Sequence, residues 1–189
     1  MRKLFILSGV LIYLIISSFP AFAGAKPPEK GDVLPEIILP VPQQPELQQY
    51  LGLSGKSSFS IPQVKADVVL IEIFSMYCPY CQREAPAVNT LYRKIESSSR
   101  LKKKIKLIGI GAGNSEFEVD VFRKKFAIEF PLFPDNDYSI HKVIGEVRTP
   151  YFIGVKLDSG GKHSIFYSKL GSIGDPDNFL SLIQQLCGL

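Results

Sequence analysis

Seven consecutive residues, Val68-Val69-Leu70-Ile71-Glu72-Ile73-Phe74, constrain this chain more than any other stretch. Six are apolar and four are β-branched. Such a run reads as a strand covered on both faces, the kind found in sheets with packed helices rather than in half-solvated ribbons. A helical pattern follows over Cys81 to Glu96, where Val88, Leu91, Tyr92 and Ile95 recur at helical spacing. Ile105 to Ile110 then repeats the buried-strand pattern. Strand, helix and strand in that order imply a parallel pair joined by a right-handed crossover.

The rest of the chain extends this unit. Ser115-Glu116-Phe117-Glu118 is a capping-box pattern, and its helix runs to about Ala127 with Phe117, Val121, Phe122 and Phe126 expected inward. Tyr138 to Ile144 reads as a short helix ended by Gly145. Tyr151–Val155 and Ser164–Tyr167 read as strands joined by a hairpin turn at Asp158-Ser159-Gly160-Gly161. Asp175-Pro176 opens a last helix carrying Phe179, Leu180, Leu182, Ile183 and Leu186. The expected fold is α/β, a three-layer α/β/α sandwich around a mixed sheet. Ahead of it, six prolines between Pro27 and Pro45 make an extended arm, with a short strand at Glu36–Leu39, a short helix at Glu46–Leu53 and loop from Gly52 to Ser58. The domain reading is therefore 1–23 leader, 24–66 arm and short elements, and 67–189 α/β domain.

Residues 1–23 have a cationic start at Arg2-Lys3, an apolar run from Leu4 to Ile16, a break at Pro20 and small residues in Ala21-Phe22-Ala23. That is the pattern of a secretory signal peptide, with Ala23-Gly24-Ala25 as a second cleavage site. The competing reading is an uncleaved membrane anchor, since Leu4 to Ala23 is just long enough to span a bilayer. In either case the folded part is expected outside the cytoplasm, periplasmic or equivalent, and in contact with a membrane only if the leader stays attached. The 189 residues carry 22 basic and 18 acidic side chains, an excess of +4 too small to favour nucleic acid as a partner.

Outside the cytoplasm cysteine pairs can be oxidised, and Cys78-Pro79-Tyr80-Cys81 sits where the first strand hands over to the first long helix. A sulfur at a helix N-terminus meets unpaired N–H groups and the positive end of the dipole, which favour thiolate, the nucleophile of disulfide exchange. Two intervening residues put the second sulfur one turn behind the first. Cys78 is thus expected to be exposed and attacking, and Cys81 buried and resolving. The redox group is the Cys78–Cys81 pair itself, with no other cofactor and no metal expected. Structural zinc needs four ligands, and Cys187, His141 and His163 supply no second pair at ligand spacing.

With those residues in view, the chain resembles the thioredoxin superfamily, and within it the exported TlpA/ResA-like thiol–disulfide oxidoreductases. The resemblance runs from about Asp32 to the C-terminus. It rests on the aliphatic strand, the C-x-x-C, the following Glu84-Ala85-Pro86, the segment Phe130 to Asp135, Thr149-Pro150 before a strand, and the arm Gly31-Asp32-Val33-Leu34-Pro35. It implies a cis Thr149–Pro150 bond opposite the dithiol, with Thr149, Pro150, Pro79 and Tyr80 contacting the substrate. It implies protein thiol or disulfide substrates and a membrane thiol–disulfide electron donor. Glu72 is a charge in an otherwise apolar strand and needs a partner or a function. The resemblance makes it a proton relay to the buried cysteine, although many TlpA-like members carry an amide there. Tyr77 stands where the family usually has Trp, and Tyr80 departs from its commonest choices. Relatives mostly reduce, so a reductase is favoured, while known potentials of such dithiols span about −270 to −120 mV.

Two alternatives use the same fold. A thiol peroxidase of peroxiredoxin type needs Ser or Thr three before the cysteine and Pro four further back; Ser75 meets the first requirement, but Ile71 occupies the second position. A Sco-like copper-binding chaperone uses C-x-x-x-C, one residue longer than the spacing here. Gly109 to Gly113 lacks the third fingerprint glycine, Asn114 standing in its place, and reads as a tight turn. Arg100, Lys102, Lys103, Lys104 and Lys106 read as a solvated basic surface, and Cys187 as a small buried residue on the last helix.

Overall fold

A computed structural model describes residues 25–55, 57–158 and 163–189. The leader and most of the expected hairpin turn lie outside the described residues. Seven strands and five α-helices follow in order: β1 (Ile38–Pro40), α1 (Pro45–Leu51), β2 (Ser58–Ser60), β3 (Val68–Phe74), α2 (Pro79–Ser97), β4 (Ile105–Ala112), α3 (Glu116–Phe126), β5 (Leu132–Asp135), α4 (Ser139–Val143), β6 (Tyr151–Leu157), β7 (His163–Leu170) and α5 (Pro176–Cys187). The main sheet has the order β5-β4-β3-β6-β7. β3 runs parallel to β4 from Val68↔Ile105 to Phe74↔Gly111, and antiparallel to β6 from Val68↔Lys156 to Ile73↔Tyr151. β3 is central and every residue of it is buried.

The period of two along β3 divides the core. Val68, Leu70 and Phe74 pack with Cys81, Ala85, Val88, Leu91 and Ile95 of α2 and with Phe179 and Ile183 of α5. Val69, Ile71 and Ile73 face the other way, onto Leu34, Ile37, Leu39, Leu51 and Phe59 of the arm. The arm thus supplies the second apolar layer. It also covers the outer edge of β7: Gly31 N–H donates to the Ile165 carbonyl, Ile165 N–H to that of Asp32, and the Ser168 hydroxyl to that of Pro28.

Five expectations are corrected. The arm strand begins two residues later than the expected Glu36–Leu39 and ends one later, because Ile38 and Pro40 pair with Ser60 and Ser58 of a strand that begins in the presumed loop. β5 was not expected; it adds in parallel to β4, with Pro134 opposite Gly111. α3 buries Val119 and Phe122, while Phe117 is exposed. Gly109 and Gly111 are strand residues rather than a turn; a Cβ on Gly109 would come within 2.4 Å of the Leu132 side chain, and only Gly113 turns, at φ +64°. Lys106 is buried rather than solvated: its ammonium lies 4.0 Å from the Tyr50 ring centroid, 3.6 Å from Glu96 and against the Lys102 carbonyl.

Candidate active site

The site forms where β3 ends. The Cys78 N–H closes a turn onto the Ser75 carbonyl at 3.1 Å, and Cys78 becomes the N-cap of α2 with Pro79 in the first helical turn. Its sulfur receives the Cys81 N–H at 3.4 Å. The loop before it is pinned by Asn114, whose fully buried side chain accepts the Met76 N–H at 2.8 Å, and by Gln82, which donates to the Met76 carbonyl at 2.7 Å. The Tyr77 hydroxyl donates to Glu118, so the start of α3 braces the same loop.

Across from the dithiol, the Thr149–Pro150 peptide is cis. Pairing of Ile73 with Tyr151 brings this turn beside the end of β3. The Cys78 thiol donates to the Thr149 carbonyl at 3.3 Å. Both cysteines are free thiols; Cys78 is half-buried and Cys81 fully buried. Tyr80 is 67% exposed, and Pro79 is exposed beside it.

These surroundings separate the two sulfurs. Burial opposes ionisation of Cys78, but hydrogen bonds from the Thr149 side chain, the Cys81 thiol and the Cys81 and Tyr80 amides together hold it below the ordinary thiol range. Cys81 is pushed well up, first by burial and then by its hydrogen bond to Cys78. Glu72 lies on the α2 face of β3 and is 2% exposed. Burial, then the Glu84 carboxyl, then Cys78 raise its pKa to about 8. Among the described residues its Oε1 has no hydrogen-bond partner.

The structure therefore gathers Cys78, Cys81, Thr149, Pro150, Pro79 and Tyr80 at one place, with Glu72 in the same electrostatic neighbourhood. Sequence reasoning missed Glu84 as a second buried acid. It is 6% exposed and accepts the Ile173 N–H at 2.7 Å. Its signal was a charge on the stripe Cys81, Ala85, Val88, which faces the core. The Thr149 side chain, which also lowers the Cys78 pKa, has no sequence signal beyond its place before Pro150. His141 and His163 are far from this chemistry in their bonding, each ring nitrogen meeting a backbone carbonyl, of Val147 and Leu34 respectively. Among the described residues no three His, Cys, Asp or Glu side chains converge on a metal-sized site.

A thioredoxin-like sheet with a free Cys-x-x-Cys at the head of α2 defines a thiol–disulfide oxidoreductase. The chain belongs to the AhpC/TSA family, whose model matches residues 31–169. It is similar to the thiol–disulfide oxidoreductase ResA of Bacillus subtilis, 23% identical over 144 residues covering 74% of this chain and 71% of the relative. It is likewise similar to ResA of Bacillus cereus, 24% identical over 159 residues covering 84% and 80%. Its fold matches StoA from Bacillus subtilis with a TM-score of 0.56 at 20% identity, over 80% of this chain and 98% of that one. It also matches the thioredoxin domain of a thiol–disulfide oxidoreductase from Bacteroides vulgatus with a TM-score of 0.59 at 16% identity, over 82% and 98%.

Proposed function

We propose that this chain is an extracytoplasmic reductase of protein disulfides. The observation that carries the exchange chemistry is the asymmetry of the dithiol, a half-exposed sulfur favoured as thiolate and a buried one held as thiol, while the reducing direction follows the resemblance to TlpA/ResA-like proteins. The Cys78 thiolate attacks one sulfur of a substrate disulfide. That S–S bond breaks, one substrate cysteine leaves as thiolate, and the other stays bonded to Cys78. Cys81 then loses its proton to the Glu72 carboxylate and attacks the Cys78 sulfur. The second substrate cysteine leaves, and the Cys78–Cys81 disulfide forms. Two electrons have passed to the substrate, and a membrane thiol–disulfide donor restores the dithiol.

Glu72 suits the relay because a carboxyl with a pKa of about 8 exists in both forms near neutrality. The Thr149 backbone, with Pro150, Pro79 and Tyr80, aligns the extended substrate chain against Cys78. The leader-like residues 1–23 support export, and among the described residues no helix is long and apolar enough to cross a membrane.

Insulin reduction by the reduced protein tests the reading. Cys78→Ser is expected to abolish it, and Cys81→Ser to accumulate a mixed disulfide that reducing agent releases. Wild-type turnover in Cys78→Ser would sink the mechanism. Consumption of peroxide in place of insulin would move the chain to the peroxidase class.

A further inference from the structure

Beside the dithiol lies a cleft of about 560 Å³ whose wall includes Tyr80, Arg83, Arg148, Thr149 and Leu170, with Glu84 also facing it. Both arginines are exposed, and among the described residues neither has a carboxylate partner. Arg83 stands two residues after Cys81, its guanidinium 4.5 Å from the Tyr80 ring centroid. Arg148 directly precedes Thr149, whose carbonyl touches the Cys78 sulfur. The acid in the cleft, Glu84, is buried and already engaged by the Ile173 N–H. The cleft thus offers two guanidinium forks without a carboxylate partner, in a wall that includes Thr149, the residue whose carbonyl meets the Cys78 sulfur, and such forks match carboxylates in shape and charge.

We infer that this cleft selects substrate cysteines flanked by acidic side chains, with Arg83 and Arg148 as the specificity-determining residues. The inference rests on the reading of Cys78 as the attacking thiol. The acids read here are those close in sequence to the substrate cysteine, since an extended chain advances about 3.3 Å per residue. They belong to a peptide segment of a protein, drawn in by charge complementarity while its sulfur is presented to Cys78.

The test uses the full chain, reduced, and three nonapeptides with a central cysteine flanked by Asp/Glu, Ser or Lys. Each peptide carries 2-thiopyridine in a mixed disulfide. Attack by Cys78 on the peptide sulfur expels thiopyridone, whose absorbance gives the rate. Dividing each rate by that of dithiothreitol with the same peptide removes intrinsic reactivity. The expected order is acidic, neutral, basic, with about tenfold between the extremes at low salt, falling to about twofold in high salt, as for partly exposed ion pairs. In the double variant Arg83→Gln/Arg148→Gln the ratio is expected to fall towards one, and in Arg83→Glu/Arg148→Glu to invert. One common normalised rate for all three peptides in the wild type, or a preference for the basic one, overturns this inference and leaves the exchange reading standing. Release from none of them overturns both.

Discussion

Two buried carboxyls in this molecule are treated in opposite ways. Asp135 ends β5 and is 3% exposed. Its oxygens accept hydrogen bonds from the Ser139 hydroxyl at 3.3 Å, the Ile140 amide at 3.0 Å and the His141 amide at 2.8 Å. It is a carboxyl built into the start of α4, held by donors that would otherwise be unpaired. Glu72 is as deeply buried in the middle of the sheet, yet one of its oxygens has no hydrogen-bond partner among the described residues. Burial alone therefore does not mark a functional acid. The mark is burial without satisfaction, next to groups whose own protonation changes.

Four substitutions or conditions press on that contrast. Asp135→Ala removes the acceptor for several donors at once and is expected to cost about 4 kcal/mol of stability. Denaturant melts measure it, and exchange per folded molecule should not change; a loss of exchange without loss of stability would erase the distinction. The pH profile of stability comes next. Glu72 ionises near 4.5 when exposed and near 8 in the fold, so both states are protonated below pH 4.5. Between those values the unfolded chain releases a proton that the folded one retains. Stability contributed by the neutral carboxyl is thus complete in acid and lost as pH rises, by about 3 kcal/mol at neutrality, with the loss levelling off above pH 8. Glu72→Gln should lack that decline.

The same variant should slow resolution of the mixed disulfide about 100-fold, read by quenched-flow trapping, and flatten the rate dependence around pH 8. A resolving step that stayed fast would return Glu72 to a merely tolerated charge. The smallest effect concerns Thr149. Removing the hydroxyl in Thr149→Val takes a hydrogen bond from the Cys78 thiolate, so alkylation of Cys78 by iodoacetamide at pH 7 should slow about threefold. An unchanged rate would assign the lowered pKa to the Cys81 thiol and the helix amides.

What was legible in the chain depended on how far each signal carried by itself. β3 and α2 were readable because a seven-residue run with six apolar side chains and a helical stripe are long enough to exclude other periods. Cys78 and Cys81 were readable from their place at that junction. β1, β2 and β5 were obscure, because strands of three or four residues containing Pro40 or Pro134 owe their form to the neighbour they pair with. The α3 stripe slipped because Phe117, Val119, Val121 and Phe122 suit more than one face; packing under β4 selected Val119 and Phe122. Lys106 looked like surface because its neighbours in sequence are basic, whereas Tyr50, whose ring receives it, lies far along the chain and Glu96 sits at the end of α2. Arg83 and Arg148 carried no pattern at all. Their common cleft exists only once the Thr149 turn folds back onto α2.

The crossing of Gly31 and Asp32 over Ile165 has a colloidal consequence. A bare lateral strand is a template on which a second copy can grow. Here the donor and acceptor of Ile165 are occupied by the protein's own leading segment before any neighbour arrives. That rim is thereby guarded against polymerising with a second copy of the chain.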